Sequence, residues 1–198
     1  MVLPQAPGSA TLRFEMTQAE AIAQLNAWGS KPLPLNASVW WRGTLALLLR
    51  GAQAAVDSAA RALGGEAIPE SFAQAFWDGL RDQRDEFFHE AQRAVASDGR
   101  GLWRLSVPST TAAIPHGDDT LVEWGGAQRW VIGALEDNAL VEHAEFAGGS
   151  AQRVRGGPPG EGMFTPVPPK PPLLAVQRRL RESFDPRGVF APGRPIAF

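Results

Sequence analysis

Ser38-Val39-Trp40-Trp41-Arg42-Gly43-Thr44-Leu45-Ala46-Leu47-Leu48-Leu49-Arg50 is the stretch that decides the fold. Ser38 to Arg42 and Thr44 to Arg50 read as two strands, and Gly43 between them supplies the tight turn of a hairpin. A second copy of the pattern stands 84 positions further on, where Leu121 to Trp124 and Gln128 to Ile132 flank Gly125-Gly126. That shift lays Trp40 on Trp124, Thr44 on Gln128 and Gly64-Gly65 on Gly148-Gly149. A helical stretch precedes each Gly-Gly pair, Ala52 to Leu63 in one copy and Glu136 to Phe146 in the other. A leading strand precedes each hairpin, Ser9 to Met16 and Gly101 to Val107. Strand, helix, strand, strand, helix and a further strand is the ferredoxin-like plan. The expectation is therefore an α+β fold. Two ferredoxin-like halves, 9–68 and 100–155, share an antiparallel sheet with helices mainly on one face, and a C-terminal helix and tail follow.

The remaining segments fit around this frame. Ala10, Leu12, Phe14 and Met16 alternate with Thr11, Arg13 and Glu15, as in a half-buried strand. Thr17-Gln18-Ala19-Glu20 is a capping box that starts a helix. Ile22, Leu25 and Trp28 form the buried stripe of that helix, and Gly29 ends it. Pro69 suits the first position of another helix, with Phe72, Phe76 and Leu80 at spacings of four and Phe87 and Phe88 beyond. Pro108 to Asp119 reads as loop or a single helical turn, and Ala151 to Arg155 as a last short strand. Residues 1–8 read as a leader, 9–155 as the folded body and 156–172 as a Pro/Gly-rich connector. Residues 173–198 read as a helix and a docking tail. In that helix Leu173, Val176, Leu180 and Phe184 share one face. Asp185-Pro186 stops it, Arg187-Gly188 turns, Val189 and Phe190 face inward, and Pro192-Gly193-Arg194 closes the segment.

Composition narrows the function. The chain has 198 residues, is 44% hydrophobic and carries a formal net charge of -2, which gives no basic surface for nucleic acid. It contains no cysteine, so disulfides, thiolate metal sites and a cysteine nucleophile are excluded. The longest apolar run, Leu45 to Leu49, is far too short to span a bilayer. The three histidines, His89, His116 and His143, have no metal-ligand spacing and read as surface residues. Asp118-Asp119 reads as a turn cap, and Arg178, Arg179 and Arg181 as a solvated helix face or the rim of an interface. Six arginines fall on strands: Arg13, Arg42, Arg50, Arg104, Arg129 and Arg153. Arg13 and Arg104 stand opposite the apolar face. Two readings stay open for them: forks that hold a carboxylate, or cross-strand pairs with Glu15 and Glu123.

The tail Phe184-Asp185-Pro186-Arg187-Gly188-Val189-Phe190-Ala191-Pro192-Gly193-Arg194 resembles the end of FAD-linked oxidases of the vanillyl-alcohol-oxidase class. Leu102 to Pro108, Glu123 to Trp130, Glu136-Asp137-Asn138 and Ala147-Gly148-Gly149 follow in an order and spacing similar to the FAD-binding second subunits of bacterial glycolate oxidases. The resemblance runs from about Leu12 to Arg194. It implies the substrate-side cap, the C-terminal portion, of a flavoprotein subunit that works with sister subunits on a small 2-hydroxy acid. Its expected location is cytoplasmic, or peripheral to the inner membrane through the complex. The resemblance also implies an N-terminal flavin domain for which this chain shows no Gly-rich phosphate loop. FAD is thus expected in the intact parent and none in this chain alone, which would be inactive and colourless. Ala191 stands where these tails usually carry Asn, so a side-chain hydrogen bond from that position is lost. The substrate-side candidates are Arg104, Ser106 and Arg129. The cofactor-proximal candidates are Asp185, Gly188, Phe190, Pro192, Gly193 and Arg194. No catalytic residue and no metal ligand is assigned. The competing reading is a non-catalytic ferredoxin-like module that assembles subunits.

Overall fold

The computed structural model describes residues 8–114, 119–157 and 171–189. Eight antiparallel strands form one sheet. They are β1 (Gly8–Glu15), β2 (Leu35–Trp41), β3 (Thr44–Gly51), β4 (Glu66–Ile68), β5 (Gly101–Ser106), β6 (Thr120–Glu123), β7 (Gln128–Gly133) and β8 (Ser150–Arg155). Their spatial order is β4-β1-β3-β2-β6-β7-β5-β8. Read outward from the middle, β2-β3-β1-β4 in one half corresponds to β6-β7-β5-β8 in the other. The two hairpins identified from sequence thus lie back to back. They meet at a short seam in which Val39 pairs with Glu123 and Trp40 with Val122.

The helices are α1 (Gln18–Gly29), α2 (Gln53–Leu63), α3 (Glu70–Arg81), α4 (Glu86–Ser97), α5 (Asn138–Phe146) and α6 (Pro171–Phe184). The Thr17 cap of α1 forms as expected: Thr17 Oγ1 accepts from the Glu20 amide, and Glu20 Oε2 accepts from the Thr17 amide at 2.8 Å. Asp85 and Asp137 cap α4 and α5 one way only, each carboxylate accepting from the amide three residues on. Strand alternation then sorts the core into two layers. Leu12, Trp40, Leu45, Leu47, Leu49 and Val122 meet α1 and α2, and Trp103, Leu105, Val131 and Ala151 meet α5 on the same side. Val39, Ala46, Leu102, Leu121, Trp130 and Ile132 face the other way and meet Leu80 of α3 and Phe87, Phe88, Ala91 and Ala94 of α4.

The second layer refines the expectation of helices mainly on one face. Three helices line one side of the sheet, while α3 and α4 cover part of the other. The physical reason lies in β3: Leu45-Ala46-Leu47-Leu48-Leu49 is apolar on both of its faces, so each needs cover. Phe87 and Phe88 supply it, packing edge-on against Trp41 and Trp130 with ring centroids 5.9 and 5.2 Å apart. The expected stripe of α3 turns out differently. Phe72 is 71% exposed and Phe76 is partly exposed, and the residues buried from α3 are Ala73 and Leu80. Trp77 Nε1 donates to Thr11 Oγ1 at 3.0 Å, which fixes the rotation of the helix.

The tail stops and turns where expected and departs from expectation at Val189. α6 ends at Phe184, before Asp185-Pro186, and the Gly188 amide returns to the Asp185 carbonyl at 3.0 Å. Val189, expected to face inward, is 60% exposed; its amide is held by Asp185 Oδ1 at 2.8 Å. Leu173, Val176, Leu180 and Phe184 are all at least half exposed, so the apolar stripe of α6 is not covered by the body. Phe190, Pro192, Gly193 and Arg194 lie outside the described residues, as do the leader at 1–7, His116, Asp118 and most of the 156–172 connector.

Candidate functional site

The hairpin turn between β6 and β7 is tightly constrained. Trp124, Gly125 and Gly126 all have positive φ, at 52°, 64° and 102°. A bulky L-residue rarely adopts that conformation. Several contacts enforce it. The Gly125 amide donates to Ser38 Oγ at 3.1 Å, Arg129 Nε donates to the Gly126 carbonyl at 3.2 Å, and a Cβ on Gly126 would come within 2.6 Å of the Ser109 carbonyl.

Arg129 anchors this turn from beneath. Its side chain is fully buried on the α1 and α5 side of the sheet. Besides Gly126, its guanidinium donates to the carbonyls of Thr111 and Ala112, so it ties the segment after β5 to β7. Burial without a carboxylate beside it lowers its pKa to about 10. Arg104 lies on the opposite face. It is half-buried, its Cα partner is Trp130, and it donates to Gln152 Oε1 at 3.0 Å. Ser106 shares that face two residues along and is exposed. The structure therefore brings Arg104 and Ser106 together and separates both from Arg129, because residues 104 and 129 sit at alternate positions of a paired ladder. Cross-strand pairing with Glu123 does not occur for Arg104, whereas Arg13 does pair with Glu15 and with Glu66 at 3.7 Å.

Glu123 is a residue that sequence reasoning placed only as a pairing partner. Its Oε2 accepts from Trp130 Nε1 at 2.7 Å and from Gln128 Nε2 at 3.0 Å. Burial raises its pKa, the two hydrogen bonds pull it part of the way back, and the charge of Asp85 adds to the rise. Asp85 is raised too, again by burial first. Glu123 and Trp124 border a cleft of about 1070 Å³ whose other walls are α3 and the β1, β2 and β3 strands. Gly125, read from sequence as part of a hairpin turn, lines the cleft as well. Among the described residues no group of three metal-ligating side chains exists, and no helix is long and apolar enough to cross a membrane.

Over 196 residues, 99% of its length, the chain is 35% identical to glycolate oxidase subunit GlcE of Escherichia coli strain K12. It is similar to the C-terminal portion of that subunit. The chain spans about half of the relative, 51% of its length. No family model matches the chain, and no solved structure matches it significantly. The match to GlcE takes in the capped helix at Thr17, both hairpins and α6, so the elements that build the cleft and the strained turn all lie within the shared portion.

Proposed function

We propose that the chain is the cap portion of an FAD-linked subunit that oxidises a small 2-hydroxy acid, glycolate being the first candidate. The observation that carries this reading is the identity to GlcE across nearly the whole chain. A broad antiparallel sheet with one partly open face suits a wall over a substrate, and Arg104 and Ser106 are among the side chains on that face with the chemistry to meet a carboxylate and a hydroxyl. Arg129 contributes from behind, by holding the Trp124–Gly126 turn.

The N-termini of α1 to α5 are poorly suited to a flavin pyrophosphate. Helix N-termini are the usual cradle for such an anion. Here carboxylates cap α4 and α5, Glu20 closes the start of α1, Glu70 begins α3, and the Gln53 side chain at the start of α2 is turned to Asp57. No catalytic step is therefore assigned through flavin to these side chains. In this reading the cofactor is held by the other half of the parent subunit, and the apolar stripe of α6 with the tail from Asp185 through Gly188 to Arg194 is the surface that meets it. Sister subunits of a glycolate oxidase complex are the further partners.

The uncovered stripe of α6 also favours a second reading, in which the chain only assembles subunits. One experiment separates the two. The chain is joined to the flavin-binding half of a relative, and glycolate-dependent dye reduction is followed. Arg104→Lys keeps the charge but loses the fork, so apparent substrate affinity should fall by about one to two decades with the fold unchanged. An active assembly with unaltered affinity in Arg104→Lys would leave the assembly reading.

A further inference from the structure

We propose that the cleft beside α3 takes a guanidinium or alkylammonium group at its Glu123–Trp124 end. This site is independent of the reading above and rests on three features of one turn.

Trp124 is held in water. The residue is 74% exposed although its backbone occupies the left-handed region, with φ at 52°. A side chain of this size neither needs nor favours that conformation. The hydrogen bond from the Gly125 amide to Ser38, the bond from Arg129 to the Gly126 carbonyl and the close approach of Gly126 to Ser109 together impose it. Strained conformations held by several contacts cluster at functional sites, which motivates the proposal here. Here the outcome is an aromatic face presented at the mouth of a cleft.

Glu123 stands next to it. Both of its hydrogen bonds, from Trp130 and from Gln128, end on Oε2, and Oε1 receives neither. The residue is half-buried and borders the same cleft as Trp124. A carboxylate oxygen and an exposed indole lining one cleft are the pairing that recognises an organic cation. The ring quadrupole attracts the charge and the carboxylate accepts its N–H groups. The cations that line the cleft do not fill this role. Arg81 is engaged by Asp78 and Asp82 at 2.9 Å each. Arg50 also lines the cleft, and no ion pair joins it to Glu123 among the described residues.

The cation could be the side chain of a partner polypeptide or a small free amine, and both present the same chemistry. The test uses two probes on the full 198-residue chain: agmatine, and acetyl-Gly-Arg-Gly-amide. Binding is read from the Trp124 indole N–H resonance and by ligand-observed NMR. The expected result is a saturable shift with both probes. Glu123→Gln, which still accepts from Trp130, should weaken binding at least about tenfold. Trp124→Asn, a residue tolerated in the left-handed region, should weaken it as well while the rest of the spectrum stays folded. Tighter binding of the peptide than of agmatine assigns the site to a polypeptide partner, and equal binding assigns it to a small amine. No saturable shift, an equal shift from sodium acetate, or undiminished binding in both variants overturns the proposal.

Discussion

Arg129 is the most demanding residue in the fold. A fully buried guanidinium costs a great deal of hydration, and the carbonyls of Thr111, Ala112 and Gly126 offset it only because they converge on its fork. Arg129→Met would remove the charge but leave those carbonyls without donors. We expect a loss of roughly 2–4 kcal/mol in urea unfolding, with a shift of the Trp124 indole resonance. A loss under about 0.5 kcal/mol, the range of an ordinary surface change, would show that water replaces the guanidinium at no cost. Glu123 gives the pH prediction. Its folded pKa lies above the unfolded value, so the folded state binds more protons in the window between them. Its contribution to stability is then full below the ordinary carboxylate range and is lost as pH rises through the folded value. Asp85 acts with the same sign. Glu123→Gln should flatten this part of the stability profile, measured by thermal unfolding across mildly acidic pH. An unchanged profile would remove Glu123 as the source.

Among the elements, α3 and α4 make the clearest contrast. Phe88 is 1% exposed and packs on Trp130, so Phe88→Ala should cost about 3–5 kcal/mol. Phe72 is 71% exposed, and Phe72→Ala should stay within about 0.5 kcal/mol. Chemical denaturation of the two variants checks both, and equal losses would refute the rotation of α3 described above. The contrast also shows what could be read in advance. Hairpins, capping boxes and Gly-Gly stops are local, and Thr17, Gly43 and Gly148 mark their elements within a residue or two. Spacing alone put Phe72, Phe76 and Leu80 on one side of a helix, but which side meets the sheet depends on Thr11, sixty-six residues away from Trp77. The expectation of helices mainly on one face overlooked the apolar run Leu45 to Leu49, which needs cover on both faces of the sheet. The site was less legible, because Arg104 and Arg129 differ by strand parity across a ladder whose register is set only in the folded chain.

For the molecule as a whole, α6 is the loose end. Its stripe of Leu173, Val176, Leu180 and Phe184 stays in water, although burying such side chains would gain about 1.5–3 kcal/mol each. Leu180→Ser with Phe184→Ser should leave the unfolding midpoint of this chain within about 0.5 kcal/mol. The same pair should weaken association with the flavin-binding half of a relative by a decade or more, measured by co-purification and calorimetry. If the double variant instead destabilises the isolated chain, the stripe belongs to the core of this chain.

The seam at the centre of the sheet has a consequence for how the chain assembles. β2 and β6 share two residue pairs, whereas β1 and β3 share eight and β5 and β7 six. Each half closes its own ladder over a short span of chain, and the cost of closing loops favours such neighbours first. The seam is then the last ladder to zip and the first to part. Native-state hydrogen exchange should reveal it as a line of weaker protection through Val39 and Trp40, flanked by two slow-exchanging blocks. The protein would breathe along its midline, and α4, whose phenylalanines touch both blocks, would act as the clasp.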